Sequence, residues 1–594
     1  MSNASIHRSL ELYRIIGNSL GVADALYNLG RFSLLAREYN TAEGYFYQSL
    51  NEVGDNDPLR RANILTSLGL TYEYKHAARN LGFGVASNDL FLAVEKYRDA
   101  TRLLSFAYAE IEDDSTQRNF GTQNQTLAPY NRLLRIYAVY TLKDKEADAI
   151  EALRYAEESR ARSYLTQLQG EQLTVGDAEE NSTLTEWQTL RSEVVNLSQL
   201  LREINQRSGD AAETGSIQEQ IADYLARMQV LEGEMQLSSL QQFISIQVSD
   251  LATIQAALPD DTLFVSYYML PAEITPQGEE AARVLTLLIS KDGISKTSQR
   301  VVDYRQEMLN QIEGLLRFHS PSAASQLYRL LIAPIASELA PYENLVIVPH
   351  GVLNYIPFEA LSDTQGQPIV MAYNINYVPS ATVYTLLRET VKPAEGTGNL
   401  LGLGYSGAAQ NLPPLSYYSD ELYGIEAVVD NSALYMEDEA TEATLDDLGE
   451  ADMIHIAAHG RFDSLNPLSS FIALAPGDEQ DGLLEVREVY QLSLRERNPL
   501  ITLSACELAI SQINPGDELE GMTRAFLLTG ARGVIASMWP VDDFVTAELM
   551  QAFYQNRADG MTNAQALTAA KRMIQDNYGD TYLWAGFVLI GLEN

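Results

Sequence analysis

One cysteine and one histidine are spaced and flanked in a way that suits covalent acyl transfer. Cys506 is the lone cysteine among 594 residues and closes the apolar run Leu500-Ile501-Thr502-Leu503-Ser504-Ala505. His459, 47 residues earlier, closes a matching run that starts at Met453, and Gly460 follows it directly. Both runs read as strands that stop at a reactive side chain. In open parallel α/β sheets, chemistry gathers outside the carboxyl ends of the strands. Two neighbouring strands would therefore bring a thiol and an imidazole together, the minimum apparatus of nucleophilic catalysis. The bland alternative is a small buried hydrophobe, the usual state of a free cysteine. The paired strand ends weigh against it.

Such chemistry asks for four things. A thiolate is needed, because the thiol is a poor nucleophile. A base must lie within hydrogen-bond reach, and His459 is the candidate. Backbone N–H groups must face the developing oxyanion, and those of Gly460 and Cys506 are the candidates. A pocket must choose the substrate side chain. Other residues fade on the same criteria. His455 lies four residues before His459, on the same strand face, and reads as a core histidine satisfied by its neighbours. The two histidines lack a third ligand at sensible spacing, so no metal and no cofactor is expected. Asp463 is a possible orienting group for His459, and His350 is expected to orient a local turn.

Composition narrows the function classes. With 41 basic and 80 acidic side chains the net charge is −39. That argues against direct nucleic-acid binding and against an anionic membrane surface. It suits a basic protein substrate or partner. One cysteine excludes a disulfide framework and fits a reducing, cytoplasmic setting. No apolar stretch approaches the length of a membrane span, and the N-terminus lacks a secretory pattern.

The elements that must position the pair lie in three expected regions. Residues 1–165 read as helical repeats. Ala25-Leu26-Tyr27-Asn28-Leu29-Gly30 returns 39 residues later as Ile64-Leu65-Thr66-Ser67-Leu68-Gly69, with second-helix elements at Tyr39–Tyr45 and Leu90–Tyr97. Small residues let paired helices approach and aromatics fill the facing gaps, as in tetratricopeptide (TPR) repeats, whose usual period is about 34. The longer spacing implies extended helices or an insertion near 80–88. A weaker third unit spans 133–162. Residues 5–17 have the pattern of a second repeat helix without its first. Either the natural chain begins upstream of residue 5, or a partner supplies the missing helix, or the segment is a frayed end. Residues 166–244 read as a helical hairpin spacer, with apolar positions three and four apart on either side of Ser208-Gly209-Asp210. From 245 to 594 strands alternate with helices, which indicates a mostly parallel sheet covered on both faces. The fold class is thus all-α repeats followed by α/β.

At this point the residues resemble a known family. His459-Gly460-Arg461-Phe462, Pro467-Leu468-Ser469-Ser470 and Leu503-Ser504-Ala505-Cys506-Glu507 resemble the two catalytic blocks of CHAT domains, caspase-like cysteine peptidases of the clan that holds caspases and separase. Pro349-His350-Gly351 through Phe358-Glu359-Ala360-Leu361 resembles the block before them. Gly516-Asp517-Glu518-Leu519-Glu520-Gly521, Trp539-Pro540-Val541-Asp542-Asp543 and Tyr582-Leu583-Trp584-Ala585-Gly586-Phe587 resemble those after. The resemblance covers 245–594 and implies a non-catalytic half over 245–395 and a catalytic half over 396–594. It departs after the cysteine, where the family commonly continues Glu-Thr-Gly and this chain reads Glu507-Leu508-Ala509-Ile510. A bulkier loop there is one that could plug the cleft.

By analogy with the separase branch, Asp543 is the expected carboxylate for a basic residue before the scissile bond. The competing reading makes Asp543 the N-cap of a helix starting near Val545. Asp542, Asp517 and Glu507 are the other candidates for the same pocket. The resemblance implies a cysteine endopeptidase acting on a protein substrate, gated by a regulatory protein bound to the repeats, as in bacterial defence or cell-suicide systems. Two rivals stay open, a catalytically silent scaffold and an acyl transferase using the same pair.

Overall fold

In the computed structural model several helices begin at a side-chain cap read directly from the sequence, among them those that follow Asn18, Asp57 and Ser380. The model describes residues 3–54, 57–79, 86–109, 124–172, 220, 224, 227, 248–275, 278–391, 398–407, 414–446, 451–461, 463, 469–477, 480–492, 494–506 and 521–594. The spacer over 166–244 therefore lies largely outside the described residues, as does most of the insertion near 80–88. Two compact units are present, one dominated by residues 1–144 and one by residues 279–594.

The first unit is built of antiparallel helix pairs: α1 (Asn3–Ile15), α2 (Ser19–Leu35), α3 (Tyr39–Val53), α4 (Pro58–Ala78), α5 (Asn88–Ala109) and α6 (Asn124–Val139), with α7 (Lys145–Gln172) following. Asn18 caps α2 by accepting from the Gly21 amide. Asp57 caps α4 in the same way, with Pro58 in the first turn where its missing N–H costs nothing. The 39-residue repeat spacing is filled mainly by α2 and α3, which are 17 and 15 residues long. Gly30 and Gly69 are the close-approach points: a Cβ there would lie 2.6 Å from the Phe46 ring and 2.5 Å from the Tyr97 ring. The aromatic opposite Gly30 is thus Phe46, and Tyr45 packs instead with the α1–α2 cluster.

The second unit is organised by one thirteen-stranded sheet. Its strands are β1 (Thr262–Leu270), β4 (Ala282–Ser290), β5 (Gly293–Val301), β6 (Asn344–Val348), β7 (Asn374–Tyr377), β8 (Asn399–Gly404), β9 (Asn431–Met436), β10 (Met453–Arg461), β11 (Phe471–Ala473), β12 (Leu483–Glu485), β13 (Leu500–Cys506), β14 (Gly533–Ser537) and β15 (Phe587–Gly591), while β2 (Glu273–Thr275) and β3 (Gly278–Glu280) form a separate hairpin. The order is β9-β8-β10-β13-β14-β15-β7-β6-β1-β4-β5, with β11 and β12 joining the end of β10. Parallel pairing runs through β9, β8, β10, β13 and β14. Antiparallel pairing appears at β14–β15 and in the β1–β4–β5 meander. The sheet crosses from residues 245–395 into 396–594 without a break, through Ile590 of β15 beside Tyr377 of β7. Central strands such as β1, β14 and β15 are buried along their whole length, as continuous apolar runs covered on both faces should be.

Helices α8 (Leu251–Ala257), α9 (Asn310–Phe318), α10 (Pro321–Leu331), α11 (Ala381–Thr390), α12 (Tyr418–Glu426), α13 (Met522–Thr529), α14 (Asp543–Ala558) and α15 (Asn563–Tyr578) accompany the sheet. Thr562 and Gln565 form a capping box at the start of α15, and Gly579 ends it in the left-handed conformation. Between sheet and helix, Lys571 of α15 and Glu359 form a buried ion pair at 2.9 Å, and the Tyr377 hydroxyl donates to the same carboxylate.

Candidate functional site

The two chemically suggestive positions meet on one ladder. In the parallel pair β10–β13, His455 is the partner of Thr502 and His459 is the partner of Cys506. The pairing ends there. On its other side β10 pairs with β8 as far as Ala457, opposite Gly404, and then with β11 from Gly460, opposite Ile472. His459 thus sits between the end of one ladder and the start of another, beside the carboxyl ends of β8 and β13. Its side chain is half-buried. The strand does not stop at the histidine as the sequence suggests. It continues to Arg461, because β11 supplies new antiparallel partners for Gly460 and Arg461. Gly460 is buried within that extension. Cys506 is the last residue of β13.

Helices α12 and α14 lie beside this end of the sheet. Gly402 and Gly404 of β8 let α12 come close: a Cβ at Gly404 would lie 2.6 Å from Leu422 and 2.7 Å from Tyr418. Their N-termini are tied by a carboxylate. Asp543 Oδ2 accepts from the amides of Ser416 and Tyr417 at 2.7 and 2.8 Å. Tyr417 and Phe544, both exposed, meet edge to face beside it at 5.3 Å. The helix cap is Asp542, which accepts from the Val545 amide at 3.0 Å. The cap reading of Asp543 is therefore corrected: α14 begins at Asp543 itself, and its carboxylate reaches outward to the chain before α12. Glu507 and Asp517 lie outside the described residues.

Several groups around the site carry no sequence signal of their own. Glu437 follows β9 with φ 48°, a left-handed conformation uncommon for glutamate. Its carboxylate accepts from Ser406 Oγ at 3.0 Å and from the Tyr418 hydroxyl. Burial, followed by that carboxylate, pushes the Tyr418 phenol up to about 12. His455 is fully buried, with Nε2 2.8 Å from Glu421 Oε1 and Nδ1 3.1 Å from the Tyr554 hydroxyl. This is the satisfied core histidine expected from the sequence. His350 accepts from the Met269 amide at 3.2 Å and stacks on Tyr268, holding the turn after β6 against β1. The Asp463 amide donates to buried Ser470 Oγ at 3.0 Å. After β14, Trp539 stacks on Tyr582 with its indole N–H on the Tyr582 carbonyl.

Among the described residues, no group of three His, Cys, Asp or Glu side chains could hold a metal ion. Among the same residues, no helix is long and apolar enough to cross a membrane.

Residues 321–592 match the family model for the CHAT domain. The chain is similar to tetratricopeptide repeat protein 28 of Homo sapiens, 25% identical over 328 residues, covering 45% of this chain and 13% of that protein. Against the Mus musculus protein of the same name the identity is 23% over 335 residues, with the same coverage of 45% and 13%. The match thus spans about an eighth of the length of these relatives. Among solved structures it is similar to the Saccharomyces cerevisiae separase–securin complex, with TM-score 0.39, 10% identity, and coverage of 97% of this chain and 53% of that one. It is also similar to the Arg-specific cysteine proteinase gingipain R, with TM-score 0.32, 10% identity, and coverage of 49% and 75%.

Proposed function

We propose that this chain, which carries a CHAT domain over residues 321–592 behind TPR-like helices, is a cysteine endopeptidase gated through its helical repeats. The observation that carries this reading is the shared rung of His459 and Cys506 at the end of the β10–β13 ladder. In the proposed reaction the Cys506 sulfur attacks a peptide carbonyl and His459 takes the thiol proton. The amides of Gly460 and Cys506 hold the oxyanion. His459 then gives the proton to the leaving amine as the C–N bond breaks, and water hydrolyses the thioester.

For specificity, the proposal assigns Asp543 to a basic residue before the scissile bond, with Asp542, Asp517 and Glu507 as weaker candidates. In support, Asp543 lies at the N-terminus of α14, among exposed aromatics. Among the described residues it pairs with no Lys or Arg. Asp542 is occupied as a helix cap. The repeats are assigned to docking of a regulatory protein, in a cytoplasmic defence or cell-death role.

The test uses the lone thiol. Wild type and Cys506→Ala are incubated with a peptide library and followed by mass spectrometry. Cleavage absent from the variant, with Arg or Lys before the cut, supports the reading. Cleavage that persists in Cys506→Ala overturns it.

A further inference from the structure

We propose that Glu421, His455 and Tyr554 are positioning residues that fix the His459–Cys506 rung, an inference that rests on the peptidase reading above. Four side chains from four elements form one hydrogen-bonded chain. Glu421 of α12 meets His455 Nε2 at 2.8 Å, His455 of β10 meets the Tyr554 hydroxyl through Nδ1 at 3.1 Å, and Tyr554 of α14 donates to Thr502 Oγ1 of β13 at 3.2 Å. All four are buried, with His455 and Thr502 at 0% exposure. Burial also pushes the Tyr554 phenol up, so it keeps the proton it donates.

The placement of this chain gives it a consequence for the site. Its two strand members, His455 and Thr502, are themselves ladder partners, four residues before His459 and Cys506 on the same two strands. At strand rise that is about 13 Å. The chain therefore holds β10 and β13 in register below the reactive rung and pins both to α12 and α14. Those helices carry the Asp543 tie at their N-termini. An apolar core would fill the same space without direction. A hydrogen-bonded chain fixes one arrangement, because every alternative leaves a buried polar atom without a partner. Covalent chemistry needs such precision, since a 1 Å misplacement can cost about a hundredfold in rate.

The experiment again exploits the lone thiol, with iodoacetamide as probe and intact mass as readout. Alkylation rates are measured for wild type, His459→Ala, Tyr554→Phe and Glu421→Gln, alongside thermal unfolding. The last two change only a hydroxyl and a carboxylate oxygen. The expected result is cooperative unfolding in both, with alkylation slowed at least about tenfold toward the His459→Ala rate. On any cleaved peptide the loss should fall on kcat and leave KM unchanged, a split that general loosening of the fold would not produce. Wild-type alkylation in both variants, with His459→Ala still slow, overturns the positioning role and leaves the peptidase reading standing. A rate insensitive to His459→Ala sinks the pair and the positioning role together. Loss of cooperative unfolding in both variants marks the chain as a stability element and also overturns the proposal.

Discussion

His459 and Cys506 are partners on the last rung of the parallel ladder between β10 and β13. Neighbouring strands lie about 4.8 Å apart, so adjacency in the sheet alone sets the two backbones at a separation that a histidine and a cysteine can bridge. A general base typically contributes about 10²–10⁴ to rate. His459→Ala should therefore lower kcat/KM on a cleaved peptide by that factor, and should slow alkylation of the lone thiol at neutral pH. Equal alkylation rates in wild type and variant would show that the imidazole does not act on the thiol.

Asp543 can be probed without disturbing its structural task. Asp543→Asn keeps an oxygen to accept from Ser416 and Tyr417 but removes the charge. If the carboxylate receives a basic substrate side chain, this variant should lose at least about tenfold in kcat/KM for Arg peptides with an unchanged melting temperature. Asp543→Ala should lose the same activity and, in addition, about 1 kcal/mol of stability from the lost hydrogen bonds to Ser416 and Tyr417. An Asp543→Asn enzyme with full Arg preference would confine the residue to the tie between α12 and α14. Asp542→Ala, by contrast, should cost about 0.5–2 kcal/mol through the lost helix cap and leave specificity intact.

The Lys571–Glu359 pair predicts a non-additive stability effect. Both side chains are 2% exposed, and the carboxylate also accepts from Tyr377. Lys571→Met strands a buried carboxylate and should cost about 3–5 kcal/mol. Adding Glu359→Leu removes that stranded charge, so the double variant should be more stable than Lys571→Met alone. Denaturant melts of the four proteins measure the coupling. Additive losses would mean that the pair does not act as a unit.

Much of this arrangement is legible in the sequence because it follows from periodicity and from backbone chemistry. The apolar runs ending at Cys506 and near His459 become adjacent parallel strands. Gly30 and Gly69 become contact points between helices because only a missing Cβ admits the Phe46 and Tyr97 rings. What escapes the sequence is what depends on neighbours distant along the chain. The extension of β10 to Arg461 needs β11, ten residues further on. Glu421 reads as one more acid on an amphipathic helix, and only the sheet reveals that it faces buried His455. Asp542 and Asp543 are identical in type and adjacent. Which of them caps the helix is decided by where α14 starts, a boundary that residue preference alone leaves open by a residue or two.

The close approach of α12 to β8 yields a further prediction. A Cβ at Gly404 would lie 2.6 Å from Leu422 Cδ1 and 2.7 Å from Tyr418 Cδ2, inside contact distance. Gly404→Ala should therefore push α12 away from the sheet at a cost of about 1–3 kcal/mol. The same shift would move Tyr418 from Glu437 and strain the Asp543 tie at residues 416 and 417, so any Arg preference should weaken as well. Leu422→Ala in the Gly404→Ala background removes one of the two side chains that the new methyl would meet. The pair should then be less destabilised than the sum of the two single changes, because each substitution answers the other's volume error. Thermal unfolding of the two single variants and the double variant tests this. A double variant that loses the full sum would show that the glycine serves the strand itself and that α12 does not depend on it for its seat.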